Sequence, residues 1–164
     1  MASLPFVKRV WSSFLSTSGL EPSLLPHLKL VDAVPGRVSL ELVIEKCHTN
    51  RLEILHGGTV ASIVDLAGSL AVASRGMYST GVTTDLNVTY ISSGGRVGDK
   101  IYIESKCHKL GRSLAFTTVE LFRLHPHLQH QTEELFARGT HTKYVAAAMK
   151  DSLNMLEEHR VLKE

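Results

Sequence analysis

Two hydrophobic rhythms succeed one another along this chain, and their order predicts a sheet built around one helix. Val38, Leu40, Leu42 and Ile44 alternate with Ser39, Glu41, Val43 and Glu45, the period-2 pattern of a strand with one covered face. A strand beginning at Leu28-Lys29-Leu30-Val31 precedes it and ends near Pro35-Gly36, so the two form a hairpin. Residues 46 to 55 read as a connecting loop. From Gly58 to about Ser74 the rhythm becomes helical: Val60, Ile63, Val64, Ala67, Leu70 and Ala71 recur on one face, while Ala61, Gly68 and Ala73 keep the others small. Such a helix is suited to burial under a closely approaching sheet. Four further strands are predicted at Val82 to Ile91, Lys100 to Lys109, Ser113 to Leu124 and Glu134 to Val145, separated by Ser93-Gly94-Gly95, Leu110-Gly111-Arg112 and a polar His/Gln-rich loop.

Both ends add helices to this α+β plan. Phe6, Val7, Val10, Trp11, Phe14 and Leu15 fall at helical spacing within residues 1–20, and Glu21-Pro22-Ser23 with Pro26 then reads as a turn region. Lys8, Arg9 and the absence of acids also suit a mitochondrial address in residues 1–20; an amphipathic helix packing on the domain is the favoured reading. Residues 146–164 read as a C-terminal helix with a polar, mixed-charge surface.

Composition narrows the class. A chain of 164 residues with 43% apolar content is long enough for one substantial core, and residues 1–164 are expected to form a single domain. The 18 basic and 16 acidic residues are interspersed and leave a net charge of +2, which lacks the broad basic face that nucleic acid requires. No apolar run reaches the length of a membrane span and no secretory signal is evident, so an intracellular location, mitochondrial or cytoplasmic, is expected. Cys47 and Cys107 fit quiescent thiols in a reducing compartment better than a disulfide scaffold, although a single bridge between them is left open.

The chemistry concentrates at Asn50-Arg51-Leu52-Glu53-Ile54-Leu55-His56-Gly57-Gly58 and the helix that follows. Glycines at a helix start let a ligand approach the backbone and aim free N–H groups and the positive dipole end at an oxygen gaining negative charge. Asp65 is the only ionisable side chain between His56 and Arg75, and a lone acid on a buried helix must be paired, partly solvated or functional. Gly57 and Asp65 lie eight residues apart, about 12 Å along a helix axis. One copy of the helix therefore cannot bring both to one carbon, and a site using both needs a homodimer.

Other constellations carry less. His125, His127 and His130 lack cysteine or carboxylate partners at a closed metal spacing, and the loop reads as a hairpin tip with no metal. Cys47-His48 and Cys107-His108 are adjacent strand residues whose side chains diverge, which rules against a cysteine nucleophile. No Gly-x-Ser-x-Gly elbow is present.

With a helical acid eight residues after the first glycine and a following strand meander, the chain resembles the hotdog-fold acyl-CoA thioesterases, and within them the thioesterase superfamily member 2 (acyl-CoA thioesterase 13) group. The likeness runs from about Val31 to Tyr144 through His48-Thr49-Asn50, Leu55-His56-Gly57-Gly58, Val64-Asp65, Asp85-Leu86-Asn87-Val88-Thr89-Tyr90, Leu114-Ala115-Phe116-Thr117 and Gly139-Thr140-His141-Thr142-Lys143. It implies a hotdog fold, an antiparallel sheet of about six strands wrapped around a central helix, in dimers paired edge to edge and assembled as a homotetramer. It also implies hydrolysis of acyl-CoA with no cofactor beyond the substrate's own coenzyme A. The Gly57 N–H and the Asn50 amide would polarise the thioester carbonyl, while Asp65 of the partner subunit activates water. His56 would contact the thioester region or brace the loop. Thr83 would hold the water where the family commonly has serine. Coenzyme A contacts carry over to Gly58, Asp85, Tyr90, Ser92, Ser93, Gly94, Gly95, Arg96, Lys109, Gly111, Arg112, Ser113, Lys143 and Tyr144. Two other readings stay open, a non-catalytic acyl-CoA binding protein and a hotdog dehydratase acting on enoyl- or hydroxyacyl-CoA.

Overall fold

The structure, a computed structural model, describes residues 4–17, 19–125 and 132–156. Helix α1 (Leu4–Leu15) and the short α2 (Leu20–Leu24) lead into strands β1 (Lys29–Val34) and β2 (Arg37–Val43), then a 3-10 turn at Lys46–His48. The long helix α3 (Gly57–Ala73) follows, and β3 (Val82–Tyr90), β4 (Lys100–Leu110), β5 (Leu114–His125) and β6 (Thr132–Tyr144) complete the sheet. All neighbouring strands are antiparallel in the order β1-β2-β4-β5-β6-β3. This is the hotdog arrangement, with β1 and β3 at the two edges.

Helix α3 packs against the concave side of the sheet because it presents apolar residues nearly all round, from Val60 to Ala73. Its contact with β6 depends on two missing side chains. A Cβ on Gly68 would stand 2.4 Å from His141 Nδ1 and 2.7 Å from Thr117 Oγ1, and a Cβ on Gly139 would stand 2.5 Å from Val64 Cγ1. Helix and strand thus approach closer than alanine at either place would allow.

Helix α1 buries Phe6, Val7, Val10 and Trp11 in the same core, and the Trp11 indole donates to Leu28 O at 3.3 Å. Its apolar face is therefore structural. The predicted turn at Glu21-Pro22-Ser23 is instead the α2 helix: Pro22 falls in the first turn, where its missing N–H would have had no intrahelical partner.

The predicted C-terminal helix over residues 146–164 is not formed in the described part, which holds only a 3-10 turn at Ala148–Lys150. Polar side chains there take backbone partners that a helix would need. Asp151 Oδ1 accepts from Leu153 N at 2.9 Å, and its other oxygen accepts from Ser79 Oγ. Asn154 donates to Ala148 O and accepts from Tyr78 N at 2.7 Å, while Met155 N donates to Gly76 O at 2.7 Å. The segment is strapped in this way to the loop between α3 and β3. Residues 157–164, and the polar loop with His127 and His130, lie outside the described residues. Among the described residues no helix is long and apolar enough to cross a membrane, and no cluster of three His, Cys, Asp or Glu is placed to hold a metal ion.

Candidate active site

The first turn of α3 is anchored by two side chains, and a backbone donor lies beside the anchored peptide. His56 is the N-cap in extended conformation, and its Nδ1 accepts from Gly58 N at 2.8 Å. This bond places the ring proton of a neutral His56 on Nε2 and shows the residue bracing the loop. Tyr90, at the end of β3, donates its hydroxyl to Gly57 O at 2.8 Å. Among the described residues no group accepts from the Gly57 N–H itself.

Asn50 is part of a tight local turn beside it. Its Oδ1 accepts from Leu52 N at 2.8 Å and from Ile54 N at 3.4 Å, and its backbone N–H donates to Ile54 O. With the oxygen engaged, the Nδ2 amine is the end that can reach a ligand. The loop is pinned to the turn after β3 by Leu55 N on Gly95 O and by the bridge between Ile54 and Arg96. His48 is buried below, accepting from Glu45 N and bonding Leu24 O, and its role is structural.

Asp65 faces outward two turns further along α3, with its side chain 48% exposed. Thr83 Oγ1 donates to Asp65 Oδ1 at 2.7 Å, and His141 Nε2 lies 3.0 Å from the same oxygen and 2.9 Å from the Thr83 hydroxyl. Since the Thr83 proton is spent on Asp65, Thr83 accepts from His141, which assigns the ring proton to Nε2. The His141 ring is fully buried, and its Nδ1 has no partner among the described residues and rests on the open face of Gly68. The His141 hydrogen bond, opposed by partial burial and reinforced by Thr83, lowers the Asp65 pKa from 3.8 to about 2. Asp65 is a carboxylate at any neutral pH.

His141 is not among the residues that the sequence assigns to the site, although it lies within Gly139-Thr140-His141-Thr142-Lys143, a stretch that carries the family resemblance. The available signal was its position on β6, where Gly139, His141 and Lys143 occupy a helix-facing row that apolar residues would ordinarily fill.

Lys143 requires a correction. Expected at a coenzyme A phosphate, it is only 4% exposed, and its Nζ donates inward to Ser69 Oγ at 2.8 Å. Ser69 in turn donates to Asp65 O at 3.0 Å, so the cation lies one helical turn beyond Asp65. Burial lowers its pKa and the Asp65 charge opposes that shift. Lysine reached this position through α3, whose serine offers an acceptor among alanines and leucines.

A β-bulge decides which way Thr83 points. Thr83 pairs with Lys143 but Asp85 pairs with Thr142, so the register slips by one between them. Straight alternation would put Thr83 and Asp85 on one face. The bulge turns Thr83 toward α3 with Lys143 and leaves Asp85 on the outer face with Thr142.

The other expected coenzyme A positions separate into two groups at opposite ends of β3. Tyr90, Ser92, Ser93, Gly94, Gly95 and Arg96 join the Gly57–Gly58 end, where Ile91 N and Ser92 N bond Phe136 O and Leu55 meets Gly95. Lys109, Gly111, Arg112, Ser113 and Tyr144 gather at the Thr83 end, since Tyr144 pairs with both Val82 and Leu114 and Val145 N donates to Ser113 O. One chain thus holds Asn50, His56 and Gly57 with the first group, and Asp65 and Thr83 with the second.

A family model described as the thioesterase superfamily matches residues 52–129. A candidate esterase of Schizosaccharomyces pombe is 41% identical over 154 residues, spanning 94% of this chain and 91% of that protein. Acyl-coenzyme A thioesterase 13 of Homo sapiens is 37% identical over 121 residues, 74% of this chain and 81% of its own. Among solved structures, the zebra fish thioesterase superfamily member 2 superposes with a TM-score of 0.76 at 33% identity, covering 88% of this chain and 99% of that one.

Proposed function

The chain belongs to the thioesterase superfamily, and on that premise we propose that it hydrolyses acyl-CoA at a site shared between two copies, each supplying half. Gly57 N–H and the Asn50 amine of one copy hold the thioester oxygen. Asp65 and Thr83 of the other hold a water against the carbonyl carbon. Asp65 takes a proton as the water oxygen bonds to carbon; the carbonyl oxygen carries the negative charge until the C–S bond breaks. The thiolate of coenzyme A then leaves, recovers the proton and departs beside the carboxylic acid. This route draws only on side chains, backbone donors and water.

The observation that carries the reading is the division of the site. Gly57 with its neighbours and Asp65 with its neighbours occupy opposite ends of β3, as the 12 Å spacing along α3, roughly 1.5 Å per residue, requires. Among the described residues β3 has an unpaired outer edge and leaves Val82, Leu86 and Tyr90 exposed. An unpaired edge with exposed apolar side chains is a template for strand pairing. Antiparallel pairing of two β3 edges about a two-fold axis brings the Gly57 end of each copy to the Asp65 end of the other.

The low pKa of Asp65 belongs to a half-exposed carboxylate. Covering it with a second copy and a bound thioester removes water and favours the neutral form, which strengthens it as a base during turnover.

The test mixes two inactive variants, Asn50→Ala and Asp65→Asn, under conditions that exchange subunits. Random pairing makes half the dimers mixed with one intact site each, restoring about a quarter of the parental thiol release. If the mixture stays as inactive as its components, the shared site is wrong.

A further inference from the structure

Tyr90 is more than a surface residue of the edge strand. It is half-exposed, yet its hydroxyl donates to Gly57 O at 2.8 Å and its ring lies 3.4 to 3.5 Å from where a Gly57 Cβ would stand. The ring therefore lies alongside the turn, at a distance where a Cβ at position 57 would meet it in ordinary van der Waals contact. We propose that Tyr90 is a positioning residue that latches the first turn of α3 to β3 and so fixes the direction in which the Gly57 N–H points. The proposal rests on the thioesterase reading above.

The argument is one of torsional freedom. The φ and ψ of Gly57 set the planes of the peptides on either side, one carrying the proposed oxyanion donor and the other the carbonyl that Tyr90 holds. Glycine has soft torsions and no side chain with which packing can restrain them. The next donor, Gly58 N–H, is held separately by His56 Nδ1. Both anchors therefore hold the one peptide that joins Gly57 to Gly58, next to the peptide that carries the Gly57 N–H, and the Tyr90 hydroxyl is the anchor from outside the loop. A donor in a reacting site must hold its direction within roughly 10–20° to be effective.

The placement of Tyr90 gives the latch a second property. Beyond the bulge, Leu86, Val88 and Tyr90 face α3 opposite His141, Gly139 and Ala137, while Thr83 faces α3 from the other side of the bulge. A single strand therefore holds both halves of the site, Thr83 on Asp65 and Tyr90 on Gly57. When a second copy covers the β3 edge, water leaves the Tyr90 hydroxyl, and its bond to Gly57 O strengthens as the local dielectric falls.

A latch acts on the carbonyl, whereas a coenzyme A contact acts on affinity, so the two roles differ in what Tyr90→Phe changes. The latch predicts that kcat falls about tenfold with KM unchanged, a smaller effect than outright loss of an oxyanion donor. In an Asp65→Asn background, which preserves bound substrate, the infrared stretch of a 13C=O-labelled acyl-CoA moves to higher frequency on adding Tyr90→Phe. An unchanged kcat with an unchanged stretch, or a loss carried wholly by KM, overturns the latch. Asp65-dependent hydrolysis by the parent protein keeps the thioesterase reading in either case. A parent that binds acyl-CoA without hydrolysing it overturns that reading and the latch with it.

Discussion

The buried imidazole of His141 and the half-exposed carboxylate of Asp65 meet at 3.0 Å, with the Thr83 hydroxyl bonded to both. The imidazole and the hydroxyl both hold Oδ1 of a carboxylate whose side chain stays 48% exposed. Asp65 thus has a direction as well as a charge.

Replacing His141 with Gln is expected to lower kcat by about 10- to 100-fold, because the carboxylate loses its largest stabilising partner and its fixed rotamer. Steady-state thiol release checks this. The Asp65 13Cγ resonance should at the same time titrate nearer to the ordinary 3.8 than in the parent. A shifted titration with unchanged kcat would show that His141 tunes Asp65 without serving the reaction.

The same pair makes acid stability directional. Asp65 ionises at about 2 in the folded chain against 3.8 as an ordinary carboxyl, so its contribution is complete above 3.8 and disappears as the pH falls through about 2. Urea midpoints of the parent and of Asp65→Asn should differ by a constant amount above pH 5 and converge between pH 4 and pH 2. The half-exposed carboxylate is partly screened, so the difference is expected to be small.

Gly68→Ala tests the seat of the imidazole. A methyl group 2.4 Å from His141 Nδ1 and 2.7 Å from Thr117 Oγ1 cannot be placed without moving the ring or the helix. Overpacking of this kind costs about 1–3 kcal/mol, and a displaced ring also uncouples Asp65. Lower thermal stability together with a fall in kcat is the expected pair of results. A loss of stability with full activity would mean that the helix, and not the imidazole, gives way.

Thr83 offers a graded series. Thr83→Ser keeps the hydroxyl that donates to Asp65 and is expected to retain or raise the rate, whereas Thr83→Val keeps the shape and should lower it about tenfold or more. Equal rates for serine and valine would remove the hydroxyl from the mechanism.

The sheet, the central helix and the residues at its start are legible in the sequence because each rests on a local rule. Strand alternation at Val38 to Ile44, the buried face of Val60 to Ala71 and the glycines after His56 all speak within a short window. The proposal that the site needs two copies likewise rests on a local rule, the helical rise between Gly57 and Asp65. The rest depends on contacts distant along the chain. His141 joins Asp65 from a strand that closes the chain's path around α3, and Lys143 turns inward because Ser69 waits there. The tail departs from helix because Asp151 and Asn154 find partners near Tyr78, more than seventy residues earlier. No periodicity reports such partners.

The bulge at Thr83–Asp85 means that β3 is read in two frames. On one side of it an odd-numbered residue faces the helix, and on the other the even-numbered Leu86, Val88 and Tyr90 do. Straightening the strand at constant length would merge the frames, because Thr83 and Tyr90 are an odd number of residues apart. Thr83 could then stay on Asp65 only if Tyr90 turned away from Gly57, or the reverse. The step from Thr83 to Tyr90 therefore keeps both on the helix-facing side because the strand slips once between them.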